Sequence, residues 1–385
     1  MEKIHIALVG GQQMPIYFGI LQSAAEKVVL IYSQETEKSA LSISENILRD
    51  WELDPILVKV DPFDFLPILD EFNNLIEEYP DYEIEANISG GTKPWSIAMT
   101  MLAESHQNIN LFYIDQNCNI YNLTQRTKFQ PAPIEGGIEQ ILLYNGSSEE
   151  SHTDFESYTE EDLDTMKEIK KIRKAYPKEF NAITIPNKQN KRRYNLNKKD
   201  RIEIESSSIE WDTSKKMLNK GKQEVLLSFC SQKGEEKFKL SSPHAYDLVT
   251  SSGWFEYEVA TILRKWSRCK EVWLNVIFPY SNKNPKNEID VIVNVGYKLL
   301  FVECKTQIFD NTDIDKFASA VKAYGGLGSK AIFITESQMG EQAIEKCETN
   351  NKMAHFSFYD AERKPVSHQK LFNLLDELMQ ISNTR

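Results

Sequence analysis

The sequence predicts an α/β protein with two sheet-containing modules. Residues 1–125 alternate short, β-rich apolar runs with amphipathic helical ones. A polar, acidic stretch over 146–165 interrupts this pattern, and from Gly253 the alternation resumes. Strands alternating with helices form a mostly parallel sheet covered on both faces, a Rossmann-like arrangement. Ligands of such sheets sit at the carboxyl ends of the strands.

The elements follow in order. "KIHIALV" (3–9) is a strand and "MPIYFGILQSAAE" (14–26) has helical spacing. "KVVLIYS" (27–33) is a strand, "KSALSISENILRDW" (38–51) a helix and "PILVKV" (55–60) a strand. "FDFLPILDEFNNLIEEY" (63–79) is a helix, "YEIEANI" (82–88) the fourth strand and "PWSIAMTMLAESH" (94–106) the fourth helix. "INLFYID" (109–115) is the fifth strand, and "NIYNL" (119–123) pairs with it as a hairpin. After the acidic stretch comes a helix over 161–176, then a basic run, 187–201, in which Lys191, Arg192, Arg193, Lys198 and Lys199 flank Tyr194. That run reads equally as a nucleic-acid contact or as a solvated loop. Short β-like runs fill 202–211, 223–231 and 236–242. The last third holds the helix "GWFEYEVATILRKW", three strands, the helix "TDIDKFASAVKAYGG", the strand "SKAIFIT" and a closing "LFNLLDELMQ". The expected division is a first domain over 1–145, a linker over 146–165 and a second domain over 166–385, its core at about 250–340.

Composition narrows the class. The chain of 385 residues is 41% hydrophobic and 26% charged, a globular rather than a disordered balance. No apolar run approaches the ~18 residues of a membrane helix, so no membrane partner is expected. The opening "MEKIHIALVGG" reads as a strand, not a signal peptide. The five cysteines, 118, 230, 269, 304 and 347, contain no CxxC pair. This argues against disulfide frameworks and zinc knuckles, and for a reducing cytoplasm. A net charge of −12 argues against non-specific coating of nucleic acid, while leaving room for one basic groove.

The clearest chemistry lies in "NEIDVIVNVGYKLLFVECKTQ" (287–307). Two apolar strands meet at Gly296-Tyr297; the first carries Asp290, the second Glu303-Cys304-Lys305. The two-residue period puts Glu303 and Lys305 on one side and Cys304 on the other. A hairpin brings Asp290 beside them, and Glu256, on the preceding helix, is within reach, with Phe255 and Val259 turned to the core. Surface hairpins often carry a Glu–Lys pair that does nothing. Here the strands are otherwise apolar, and charges at the ends of buried strands are costly unless paired or metal-bound. Oxygen ligands suit Mg²⁺ or Mn²⁺, which would polarise a phosphodiester and activate a water. Lys305 would hold that water or stabilise developing negative charge.

This pattern resembles the PD-(D/E)xK nuclease superfamily over about 250–335, with Ile289 in place of the usual proline. The resemblance implies that Asp290, Glu303 and the Cys304 carbonyl bind metal, that Lys305 is the catalytic lysine and that Glu256 is an auxiliary acid. Gln307 faces the same side as a weaker candidate.

In the first module, "NISGGTKPWS" (87–96) places two glycines and a lysine before a proline suited to a helix start. It is neither G-x-x-x-x-G-K-[ST] nor G-x-G-x-x-G. Gly90 and Gly91 would let a ligand approach the backbone, Thr92 could cap the helix, and Lys93 adds positive charge near free N–H groups. A second loop, "GGQQMP" (10–15), follows strand one. With strands one and four adjacent, the two loops would frame one crevice; both could also be plain turns.

"NISGGTKPWSIAM" resembles the signature loop of CARF domains, the cyclic-oligoadenylate sensors of type III CRISPR immunity. CARF followed by PD-(D/E)xK is the layout of CRISPR ancillary nucleases activated by cyclic tetra-adenylate. The resemblance implies a homodimer whose paired loops clamp the ring. Gly10, Gln12, Gln13 and Met14 would line one side and Ser89, Gly90, Gly91, Thr92 and Lys93 the other, with Ser33 a further contact. The expected protein is a cytoplasmic, metal-dependent nuclease that is switched on by the ring and cleaves DNA and/or RNA. Two alternatives stand beside it: a restriction- or repair-type nuclease without allostery, and a nucleotide-sensing regulator with a dead nuclease domain.

Overall fold

The computed structural model describes residues 2–184, 198–214, 221–231, 234–250, 252–279, 287–306, 312–350 and 353–379. The first sheet has the order β3-β2-β1-β4-β5-β6-β7. Its strands are β1 (Lys3–Leu8), β2 (Lys27–Tyr32), β3 (Ile56–Lys59), β4 (Glu83–Asn87), β5 (Ile109–Ile114), β6 (Ile120–Asn122) and β7 (Thr127–Phe129). β1 to β5 are parallel neighbours, and β6 turns back on β5 as the expected hairpin. β1 lies beside β4, so the loops after these two strands meet at the switch point. Helices α1 (Met14–Ser23) and α2 (Glu37–Trp51) pack on one face, α3 (Phe65–Glu77) and α4 (Lys93–Ser105) on the other. α1 stops three residues earlier than its apolar spacing suggests, because Ala24 turns left-handed at φ 48° and ends it.

The stretch expected as a linker is built into the second sheet. α5 (Gly137–Tyr144) leads into β8 (Ser151–Asp154), which pairs antiparallel with β13 (Glu271–Phe278). The second sheet has the order β17-β16-β15-β14-β13-β8. Its other strands are β14 (Asn287–Asn294), β15 (Leu299–Lys305), β16 (Lys330–Thr335) and β17 (Ala354–Ser357). The runs over 199–242 form a separate antiparallel sheet of β9 (Lys199–Ile204), β10 (Ser207–Asp212), β11 (Gln223–Ser231) and β12 (Gly234–Ser242). Two short strands replace the single run expected over 202–211, because Glu205 takes a left-handed turn at φ 52°. α6 (Glu160–Ala175) opens with a complete capping box, Thr159 with Asp162. α7 (Pro177–Thr184), α8 (Ala245–Val249), α9 (Gly253–Leu263), α10 (Thr312–Tyr324), α11 (Glu341–Glu345) and α12 (His368–Met379) complete the described helices. Among the described residues, no helix is long and apolar enough to cross a membrane.

One apolar core joins the two modules. Tyr17 and Phe18 of α1, Ile141 of α5, and Trp273, Ile292 and Phe301 of the second sheet belong to the same buried cluster. Hydrogen bonds reinforce the junction. Glu271 Oε2 of β13 accepts the Ile138 N–H at the start of α5 at 2.7 Å. The Asn145 side chain accepts the Leu327 N–H at 3.2 Å. A shared core predicts shared unfolding. Phe301→Ala, at a fully buried position, should cost about 3–5 kcal/mol and shift the melting of both modules together. Calorimetry showing two separate transitions, only one of them moved, would contradict this.

Candidate functional site

The acidic centre sits where β14 and β15 part. Their ladder runs from Asn294–Leu299 to Val291–Val302. Beyond it, Asp290 Oδ2 accepts the Cys304 N–H at 2.7 Å, in place of a strand carbonyl. Along β15, Cys304 is buried, while Glu303 and Lys305 share the other face. The Lys305 ammonium lies 2.6 Å from Glu303 Oε1 and 3.6 Å from Asp290 Oδ2. α9 delivers Glu256, with Phe255 and Val259 fully buried beside it. Burial, and then the charge of Asp290, push the Glu256 carboxyl well above its usual range. The same causes push the Glu303 carboxyl up to about 8. Burial disfavours the Lys305 charge, yet Asp290 and Glu303 together hold its pKa above normal. The four residues expected to act together are therefore brought together.

Glu288, two residues before Asp290, is a member the sequence reading missed. Burial and Asp290 raise its carboxyl pKa as well. Its signal was its place in "NEID", at the same two-residue period that placed Lys305. Gln307 lies outside the described residues, as does 187–197 of the basic run; Lys199, on β9, is 3.7 Å from Asp212.

Two clefts open on the centre. One, of about 210 Å³, is lined by Glu303, Lys305, Asp313 and Lys316. The other, of about 370 Å³, is lined by Glu256, Tyr246, Thr250 and Asn275 among others. Glu288 borders both. Among the described residues no His, Cys, Asp or Glu side chains form a ready-made metal cluster; Asp290 and Glu303 share an ammonium instead. The donor set nonetheless suits a hard dication. It offers four carboxyl groups around one lysine, and burial, with the charge of Asp290, raises carboxyl pKa values that a bound dication would lower.

At the other site the two glycine loops are in contact. A Cβ on Gly10 would lie 2.7 Å from the Gly91 nitrogen, and one on Gly90 would lie 2.1 Å from the Leu8 carbonyl oxygen. Gly91 adopts φ +71°, and a Cβ there would meet the Trp95 ring at 2.6 Å. These glycines thus admit neighbouring protein, a different reason from the ligand approach expected of them.

Several residues expected to face a ligand are engaged internally. Met14 is fully buried in the shared core. The Ser33 hydroxyl donates to Glu35 at 2.7 Å. The Ser89 hydroxyl donates to Asn87 Oδ1 at 2.6 Å and accepts the Ile114 N–H at 2.7 Å. Thr92 occupies the N-cap of α4, but its hydroxyl donates to the Pro62 carbonyl at 2.9 Å instead of capping. The Gln13 amide lies against Gly146, its Oε1 buried without a hydrogen-bond partner. Gly11, Gln12 and Lys93 remain exposed at the crevice. Gly11, which the sequence reading passed over, has open space around it.

The two sites are linked through the β14–β15 turn. Phe18 of α1 meets Tyr297 edge-on, with ring centroids 6.3 Å apart. The Tyr297 hydroxyl donates to Gln130, and the Gly296 carbonyl accepts the Ile134 N–H at 2.8 Å.

A glycine-lined switch-point crevice joined through one core to an acidic, lysine-bearing strand end defines a two-module α/β protein. Residues 4–138 match the family model of the Card1 CARF domain, so the first module is a CARF domain. Can2 from Sulfobacillus thermosulfidooxidans, solved in complex with cyclic tetra-adenylate, is similar with a TM-score of 0.68 and 16% identity, over 98% of this chain and 99% of that one. Protein VC1899 from Vibrio cholerae is similar with a TM-score of 0.68 and 15% identity, over 98% and 97%. A type III CRISPR defence DNA nuclease activated by cyclic oligoadenylate is similar with a TM-score of 0.55 and 16% identity, over 88% of this chain and 46% of that one. These likenesses are of fold, and they extend the α/β architecture beyond the CARF domain to the whole chain. No curated protein sequence matches the chain.

The glycine geometry separates two substitutions. Gly91→Ala should destabilise the protein by about 1–3 kcal/mol, since it forces a left-handed alanine against Trp95. Gly11→Ala should stay within about 0.5 kcal/mol of the parent. Urea unfolding of the two variants checks this, and equal losses would refute the packing account.

Proposed function

We propose that this chain is a cyclic-oligoadenylate-activated, metal-dependent nuclease of type III CRISPR defence, acting on DNA and/or RNA as a homodimer in the cytoplasm. The observation that carries this reading is the Asp290–Glu303–Lys305 centre at the end of a sheet joined through one core to a CARF domain. Asp290, Glu303 and the Cys304 carbonyl would hold Mg²⁺ or Mn²⁺, which when bound supplies Lewis-acid polarisation of the phosphate and a more acidic water. Lys305, kept protonated by its two carboxylates, stabilises the charge that grows on the phosphate oxygens. Glu256, its pKa raised, is placed to carry a proton beside the reacting group.

For the activator, the Can2 complex supports a ring of four adenylates. Such a ring has two-fold symmetry and matches a two-fold pair of crevices. Gln12 and Lys93 are the exposed side chains that would meet it, with the backbone of Gly11, Gly90 and Gly91, while Gly10 is buried behind them. Phe63, Leu66, Ile97 and Met101 are 76%, 69%, 54% and 49% exposed. Phe63 and Leu66 lie just before and within the first turn of α3, and Ile97 and Met101 follow one another a turn apart along α4; together they supply the apolar surface a second copy would cover.

Three outcomes are expected. Glu303→Gln or Lys305→Ala should lower cleavage about 10³-fold or more while leaving ring binding intact, and excess EDTA should stop the parent enzyme. Full cleavage by Glu303→Gln would remove the assignment. Lys93→Ala should weaken ring binding in calorimetry and raise the ring concentration needed for half-activation. If rings of three, four and six adenylates all fail to bind the parent, the sensor reading fails. Tyr297→Ala should bind the ring normally yet lose about ten-fold in activation, because the turn clasped by α1 is cut from it. Unchanged activation would place the coupling elsewhere.

A further inference from the structure

Asn275 stands in the middle of β13 with φ 50°, a left-handed conformation inside a strand. It lies across from Asp290, between the pairs Leu274–Val291 and Val276–Ile289. On the other edge of β13, the pairing with β8 shifts register between Leu274 and Ile277. The side-chain alternation breaks here too: Val272 and Leu274 belong to one buried cluster, while Trp273 and Val276 belong to the other. Bulges of this kind re-aim a side chain and recur beside active sites. Asn275 tolerates the left-handed region better than most residues, yet the conformation is still costly and persists only where the surroundings enforce it.

The re-aimed side chain lines the larger cleft, beside Glu256 and Glu288. Among the described residues its amide has no hydrogen-bond partner, although it is half-buried. The two clefts differ in chemistry. The smaller one sets two lysines, Lys305 and Lys316, among Glu288, Glu303 and Asp313. The one holding Asn275 is lined by hydroxyls and acids (Ser151, Thr153, Tyr246, Asp247 and Thr250 among them), by the Asn275 amide and the His152 ring, and by no lysine or arginine. Such a lining repels phosphate. It fits a neutral group rich in N–H donors, in a volume of about 370 Å³ that falls within the usual range of small-ligand sites.

Building on the nuclease reading above, we infer that this cleft is a nucleobase subsite. It takes the base next to the scissile phosphate, and Asn275 reads that base's edge. Hydroxyl- and acid-bearing walls favour bases with an exocyclic amino group, adenine, cytosine and guanine, over thymine and uracil, which have none. Asn275 itself offers one donor face and one acceptor face, the pairing that suits adenine.

The test uses the full chain with cyclic tetra-adenylate, Mn²⁺ and oligonucleotides randomised around one cut site. The parent should prefer adenine, cytosine or guanine at the flanking position about ten-fold over thymine or uracil, with adenine the most favoured. Asn275→Gly keeps the left-handed backbone and removes only the amide. It should fold as stably as the parent, raise KM about ten-fold with kcat changed less, and flatten the base preference. Asn275→Ala, which cannot take the conformation cheaply, should also lose stability. If Asn275→Gly keeps the parent's preference and KM, the residue only shapes the strand and the inference is overturned. Cleavage by the parent with no base preference overturns it alone. A parent that neither cleaves nor binds any of the oligonucleotides removes the nuclease reading with it.

Discussion

The Lys305 ammonium, 2.6 Å from Glu303 and 3.6 Å from Asp290, is the contact on which the acidic end of the second sheet depends. Two carboxylates at the end of an apolar sheet would otherwise repel each other in a medium that penalises charge. One ammonium placed between them lets both remain while the β14–β15 ladder stays intact up to Val291–Val302. The balance is incomplete. Glu256 and Glu288 add further acid, and three of the four carboxyls have raised pKa values. A site tuned only for stability would have fewer acids or more cations.

That centre is tied to the rest of the molecule through its turn. Asp290 and Glu303 belong to one hairpin, whose Gly296-Tyr297 turn is held by Ile134, Gln130 and Phe18. Phe18 belongs to the helix that starts at the first glycine loop, and it shares a buried cluster with Phe301 on the second strand of the hairpin. Close-packed interiors pass displacement on instead of absorbing it. Packing therefore runs from α1 to the turn of the hairpin, and the strands run from there to the carboxylates.

Much of this was legible in the sequence because it follows from periods. The adjacency of β1 and β4, the β5–β6 hairpin, and the shared face of Glu303 and Lys305 come from strand alternation and crossover rules. What was hidden depended on partners distant in sequence. Thr92 looks like a cap until Pro62, thirty residues away, takes its hydroxyl. Met14 looks like a loop residue until the core shared by the modules covers it. The 146–165 stretch looks like a linker because four residues of edge strand, paired on one side only, carry no apolar signature. Asn275 gave no sign inside "EVWLNVIF", since a bulge depends on pairing at both strand edges and not on one strand's composition.

The same dependence explains how the two glycine loops behave as one unit. The Asn87 amide donates to the Pro15 carbonyl at 2.8 Å, and its Oδ1 accepts both the Ser89 N–H and the Ser89 hydroxyl, at 3.1 and 2.6 Å. Gly10 packs on the Gly91 nitrogen with no room for a Cβ. Neither loop can shift without breaking a buried hydrogen bond or opening this contact, and an unsatisfied buried partner costs about 1–3 kcal/mol. The two loops and the start of α1 are thus bound into one unit. The constraint that looks like rigidity at the crevice is what ties it to Phe18, one turn further along the helix.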